Sequence, residues 1–209
     1  MATYSQNFCV NPRELVHSQP QLPDTTNFAC ADFYYPPPTP QSIINGEYRG
    51  PMPRAMRVEY VLQNPMYRRE SPSLSIHFAV KGNVGPCLLA VLRQQVIIDG
   101  ARNAVFEDCG WNRTKWVLDW PGLEMDCIGL WCHDVNGKPL TRDALIREIG
   151  AQIGQIMRES KAGDPKYRQS IHTPPCWRFE NIDFRDIRLV SLNYYNGIWV
   201  PTLAVTRHQ

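Results

Sequence analysis

The sequence predicts an α+β domain, in which a mostly antiparallel sheet packs on one major amphipathic helix and an extended proline-rich arm precedes both. Three observations indicate this class. One long stretch carries apolar residues at helical spacing, several short stretches alternate apolar and polar residues, and a tight-turn signal lies near the C-terminus. With 209 residues, of which 43% are hydrophobic and 20% charged, the chain suits one compact domain with an extension.

Residues 1–53 differ in composition from the rest, and we interpret them as an arm that precedes a single domain at residues 54–209. The arm holds nine of the 18 prolines and few charges. Because proline fixes φ and lacks an N–H, this block is not expected to form a regular helix or a central strand. Its aromatic and proline side chains suit contact with a protein surface. We predict these interaction residues: Phe28, Phe33, Tyr34, Tyr35, Pro36, Pro37 and Pro38.

Short alternating or apolar stretches predict the strands of the sheet. Four stretches fit this pattern: residues 56–62, 74–80, 115–120 and 127–133. Residues 87–98 are apolar and fit either a strand or a short buried helix, because periodicity does not separate the two.

The clearest helix is predicted for residues 141–160. Thr141 is suited to cap its N-terminus, and Leu140 and Leu145 lie where a hydrophobic staple would place them. The apolar residues that follow recur at helical spacing and form one face: Leu145, Ile146, Ile149, Ile153, Ile156 and Met157.

A β-hairpin is predicted at the end of the chain. Apolar residues recur at 187–191 and again at 198–205, and Asn196-Gly197 lies between them. Asn-Gly favours a type I′ turn, because both central positions of that turn require positive φ.

Several short motifs resemble a known family. They are Val117-Leu118-Asp119-Trp120-Pro121-Gly122, Pro139-Leu140-Thr141-Arg142, Leu189-Val190-Ser191-Leu192 and Gly197-Ile198-Trp199. In this order the stretch 116–205 resembles an uncharacterised domain family of mushroom-forming fungi, in which a proline-rich region often precedes the domain. The resemblance implies no reaction and no catalytic residues. The strand-rich segment before Trp116 departs from the family pattern.

Charge and hydropathy disfavour two classes of partner. The net charge is +2, and the arginines at 49, 54, 57, 68 and 69 are offset by nearby glutamates, so nucleic acid is an unexpected partner. No stretch approaches the roughly 20 apolar residues that span a bilayer. The first residues lack a secretory pattern, so we expect a cytoplasmic protein with reduced cysteines.

No established catalytic or metal motif is present. The chain lacks a G-x-S-x-G elbow and a complete P-loop. Cys127, Cys132 and His133 have poor spacing for zinc, even if His172 and Cys176 supplied a second pair. Cys176 with either histidine has no local signal for an activated thiolate. We therefore predict no catalytic residue, no metal and no cofactor.

One group of residues predicts a candidate ligand cleft. Trp116, Asp119, Trp120 and Trp131 combine aromatic and acidic side chains in one region of sequence, with Glu124 and Asp126 nearby. Sugar-binding or glycosidase clefts use such residue types.

These observations favour a non-enzymatic structural or interaction protein. We expect it to assemble with itself through the arm into a homo-oligomer or filament. Two alternatives stay open: a small-ligand-binding or hydrolytic enzyme that uses the tryptophan-lined cleft, and a monomeric adaptor whose proline segment binds another protein.

Overall fold

The computed structural model describes residues 56–69 and 71–208. The predicted arm, with Phe28, Phe33, Tyr34, Tyr35 and Pro36 to Pro38, lies outside the described residues. Within them the strands are β1 Met56–Tyr60, β2 Leu74–His77, β3 Ala79–Val80, β4 Asn83–Val84, β5 Arg113–Trp116, β6 Ile128–Trp131, β7 Ile187–Tyr195 and β8 Ile198–His208. The α-helices are α1 Pro65–Arg69, α2 Leu88–Leu92 and α3 Arg142–Lys161.

The predicted α+β class is confirmed. Six strands form one sheet in the order β2-β7-β8-β5-β6, and β1 pairs with the C-terminal half of β8. All of these pairs are antiparallel except β5 with β8, which are parallel at Trp116 and Trp199. The strands β3 and β4 form a separate small hairpin.

The predicted C-terminal hairpin forms at the expected turn. Strands β7 and β8 pair from Tyr195 and Ile198 outwards, and Asn196 and Gly197 have φ values of 44° and 93°. Both values lie in the left-handed region that a type I′ turn requires. A bulge between Leu189 and Ser191 shifts the register of β7.

The long helix α3 forms as predicted. The hydroxyl oxygen of Thr141 accepts a hydrogen bond from the Ala144 N–H at 3.3 Å and so caps its N-terminus. The predicted apolar face is buried from Leu145 to Met157. The face includes Gly150, where an added Cβ would lie 3.1 Å from Leu88 of α2, so the missing side chain lets the two helices pack closely.

Three local predictions need correction or completion. The predicted strand 74–80 is interrupted at Phe78, whose N–H donates to Val190 O, and the chain then turns into β3. The ambiguous stretch 87–98 contains the helix α2. Helix α1 was not predicted, although Asn64 accepts a hydrogen bond from the Met66 N–H and Pro65 is its first residue.

The sheet has two faces with different surroundings. One face packs against α3 and the loops around it, and this layer forms the main core. The other face carries a small apolar cluster in which Val190 and Ala204 are buried and Val58 and Tyr60 are partly buried.

Candidate functional site

The predicted cleft residues do not share one cleft. Trp116 and Trp120 lie in the main core, where each indole N–H has a partner. Trp116 Nε1 donates to Gln152 Oε1 at 2.7 Å, and Trp120 Nε1 donates to Trp177 O at 2.8 Å. These two tryptophans therefore stabilise the fold and are closed to a ligand.

The other two predicted cleft residues lie elsewhere. Asp119 is half-buried, and its Oδ2 accepts a hydrogen bond from the Asn64 N–H at 2.6 Å, which ties the start of α1 to the segment that follows β5. Trp131 is 64% exposed at the end of β6. Of the four, Trp131 alone borders an open groove among the described residues.

This groove runs between β6 and the first turns of α3, and we name it the β6–α3 groove. Its volume is about 910 Å³, within the range of peptide and ligand sites. Gly129, Leu130 and Trp131 border one side, and Ala144 and Glu148 border the other. The loop from His133 to Leu140 closes one end and contributes the fully exposed side chain of Val135.

The sheet edge beside the groove has no strand partner in the described part of the chain. Strand β6 pairs only with β5 in the sheet order. Cys132 N–H donates to Asn112 O at 3.1 Å, so by the antiparallel alternation Leu130 and Ile128 direct their backbone groups towards β5, while the Cys132 carbonyl accepts from Leu140 N–H at 2.8 Å. Gly129 and Trp131 must then direct their N–H and C=O groups outwards. Such an edge can accept an added extended strand.

The solvent face of β6 carries a cation beside an aromatic ring. The Arg113 guanidinium lies 5.4 Å from the centre of the Trp131 ring, a cation–π distance. It occupies the space above Gly129, where a Cβ would overlap it. Glycine at 129 therefore allows Arg113 to reach Trp131, and the exposed Lys115 adds a second positive charge to this face.

The acidic side chains of the groove already have partners. Asp134 accepts hydrogen bonds from the Asn136 and Lys138 N–H groups, and the Lys138 bond is the main reason its pKa lies below the ordinary value. Glu148 accepts a hydrogen bond from Gln152, the residue that also holds the Trp116 indole. Both carboxylates therefore support local structure.

Among the described residues, Cys127, Cys132 and Cys176 are not arranged as the zinc or nucleophile sites that the sequence analysis considered. Cys132 is buried and Cys127 exposed, and burial raises the pKa of the Cys132 thiol to about 11. Cys176 is exposed in a 3₁₀ turn and makes no side-chain hydrogen bond to either histidine among the described residues. In the same part of the chain, no three His, Cys, Asp or Glu residues are grouped as metal ligands would be.

A second cavity lies at the C-terminal end of α3. Its volume is about 550 Å³, and its lining is mainly polar. Arg178 borders this cavity. Its guanidinium donates hydrogen bonds to Thr173 O and Ile171 O and so holds the loop at residues 171–173.

Sequence reasoning missed most of the β6–α3 groove. The sequence analysis grouped the tryptophans by residue type. In the structure they point to different faces of the sheet, because successive side chains of a strand alternate between the two faces. In β6, Leu130 points to the core, so its neighbour Trp131 must point to the other face. The exposed Val135 and the outward amide of Gly129 carried no sequence signal.

The comparisons with known proteins add no relative. No family model, no curated protein and no solved structure matches the chain significantly. Among the described residues, no helix is both long enough and apolar enough to cross a bilayer.

Proposed function

We propose that this protein is a non-enzymatic interaction protein that binds an extended peptide segment in the β6–α3 groove, and that the segment is the N-terminal arm of a neighbouring copy. The single observation that carries the proposal is the outward-facing edge of β6 beside an exposed Trp131. Copies linked in this way form a homo-oligomer or a filament.

The groove has the parts that strand addition uses. The outward N–H and C=O groups of Gly129 and Trp131 supply main-chain hydrogen bonds, which give affinity without sequence preference. The exposed side chains of Trp131 and Val135 supply apolar contact, and aromatic residues dominate the binding energy of such surfaces.

The arm contains a segment that fits this edge. Residues 28–35, Phe28-Ala29-Cys30-Ala31-Asp32-Phe33-Tyr34-Tyr35, include no proline, so every residue has an N–H for a strand ladder. Pro36 to Pro38 follow and would end the ladder, because proline lacks the donor. Asp32, the only charged residue of the segment, complements the positive charges of Arg113 and Lys115.

The test is the mass of the full chain in solution, measured by light scattering after size exclusion. We expect particles well above the 24.0 kDa of one chain. Trp131→Ala removes the exposed anchor and should shift the particles to monomers, with a loss of affinity of at least tenfold, about 1.4 kcal/mol or more. Tyr34→Ser/Tyr35→Ser in the arm should have the same effect.

Ile97→Ala is the matched control, because Ile97 is another large, exposed apolar residue that lies outside the groove. Its particles should match those of the unchanged chain. A monomeric full chain at high concentration, or an equal response of Trp131→Ala and Ile97→Ala, would contradict the proposal.

A further inference from the structure

On β7 and β8, the second face of the sheet, opposite α3, has side chains that are shielded from solvent, whereas Arg113, Lys115 and Trp131 on β5 and β6 are exposed on the same face. Val200 and Ala204 are 0% exposed and Val190 is 2% exposed. The buried polar residues are concentrated on the same face: Arg188, Ser191, Asn193, Thr202 and Thr206. A sheet face open to water would not show this degree of burial.

The polar side chains on this face satisfy one another. Asn193 Nδ2 donates to Thr202 Oγ1 at 2.8 Å and to Ser191 Oγ at 3.1 Å, and its Oδ1 accepts from Ser75 at 2.8 Å. Arg188 Nε donates to Thr206 Oγ1 at 2.8 Å. Groups removed from water need such partners, so the network suits a covered face.

The described elements do not supply the cover. The apolar cluster on this face contains residues of β1, β7 and β8 only, so its members all belong to the sheet itself. Near the hairpin turn Tyr67 of α1 packs on Tyr195, with ring centres 5.4 Å apart. Elsewhere on this face, residues 56–69 and 71–208 provide no apolar partner from a second layer.

We propose that residues 39–55 of the same chain lie across this face and form the missing layer. They lead directly into Met56, the first residue of β1, which is paired with His208 on β8. Seventeen residues extend to at most about 60 Å, whereas the four strands β1, β8, β7 and β2 span about 15 Å. The segment contains the apolar residues that a cover needs: Ile43, Ile44, Tyr48 and Met52.

This cover also limits what the rest of the arm can reach. Met56 lies beside His208, whereas Trp131 lies beyond the opposite end of β8, about 40 Å away along the strands. Residues that cross the second face are not available to span that distance. Residues 28–35 can then reach the groove of a neighbouring copy more readily than the groove of their own chain.

Photo-crosslinking of the full chain tests the placement. In one variant Tyr60 is replaced by p-benzoylphenylalanine, and in a second variant Val58 is replaced. Each variant is irradiated as a mixture of light and isotopically heavy copies, so that crosslinks within one chain can be told from crosslinks between copies. The captured peptides are identified by mass spectrometry. We expect capture within residues 39–55 of the same chain. Capture of another segment, crosslinks between light and heavy copies, or no capture from either position would overturn the proposal. The matched control carries the photoreactive residue at position 131, on the same face of the sheet but about 40 Å from Met56 along the strands, and should not capture residues 39–55 of its own chain.

A substitution in the cover tests its contribution independently. Ile43→Asp/Ile44→Asp should lower the Tm of the full chain by about 5–10 °C, because two buried apolar side chains are lost. Val10→Asp/Val16→Asp, the same change elsewhere in the arm, should lower it by less than about 2 °C. Equal Tm values for the two variants would contradict the cover. Neither variant changes the groove, so failure here leaves the Trp131 experiment informative about the proposed function.

Discussion

Gly122 shows how one residue fixes a loop beneath the core tryptophans. It has a φ of +71°, and its carbonyl accepts a hydrogen bond from Ser170 N–H at 2.7 Å. A Cβ at this position would overlap the hydroxyl of Thr173, whose own Cβ would be 3.0 Å away. A Pro-Gly pair such as Pro121-Gly122 is a local sequence signal for a turn. The contact of Gly122 with Thr173 has no such signal, because a position 51 residues further on is brought there only by the fold.

Gly122→Ala is therefore expected to be far more damaging than the same change at Gly137. Gly137 has a similar φ of +74°, but its Cβ would meet nothing within 4 Å, so Gly137→Ala should cost only the backbone term of about 1–2 kcal/mol. Gly122→Ala adds overpacking, which costs about 1–3 kcal/mol more. Urea denaturation of both variants measures the difference in unfolding free energy, and equal losses would show that Thr173 moves aside without cost.

Among the elements, those with strong local signals were predictable from the sequence. Helix α3 has a cap, a staple and a regular apolar face, and the β7–β8 hairpin has Asn196-Gly197. The order of strands in the sheet had no such signal. Strand β5 runs parallel to β8 and in line with β1 along the same edge, and only packing over the core decides that arrangement. The break at Phe78 depends equally on a hydrogen bond to distant Val190.

The cap of α3 gives a prediction at this scale. Thr141→Ala removes the oxygen that accepts from Ala144 N–H and should lower the unfolding free energy by about 1 kcal/mol. Thr141→Ser keeps that oxygen and should stay within a few tenths of a kcal/mol of the unchanged chain. Thermal or urea denaturation followed by circular dichroism at 222 nm distinguishes them. If serine destabilises as much as alanine, the methyl group rather than the cap matters at this position.

At the scale of the whole molecule, β8 is the strand that pairs with the largest number of other strands in the sheet. It pairs with β7 along one side and with β1 and β5 along the other, so its amides should exchange slowly with solvent. Strand β6, at the edge of the same sheet, is paired on one side alone within the described chain. Because the N–H groups of β6 point alternately towards β5 and outwards, an added strand should protect only every second amide of β6 from exchange.

Hydrogen exchange with residue resolution should therefore show an alternating response in β6. In dilute protein, the outward amides of Gly129 and Trp131 should exchange faster than that of Leu130, which faces β5. At assembling concentrations, Gly129 and Trp131 should become protected while Leu130 changes little. Uniform protection of all three amides would indicate a contact that covers β6 without pairing with it.

The outward edge of β6 also gives any assembly built on it a direction. An arm joined to a groove is a contact between two unlike surfaces, so a linear row of copies exposes an empty groove at one end and an unused arm at the other. The two ends then grow by different encounters and can be blocked by different reagents. A peptide of residues 28–35 and a copy carrying Trp131→Ala would both stop growth at the groove end. A copy carrying Tyr34→Ser/Tyr35→Ser keeps its groove, so it would bind the unused arm and stop growth at the other end.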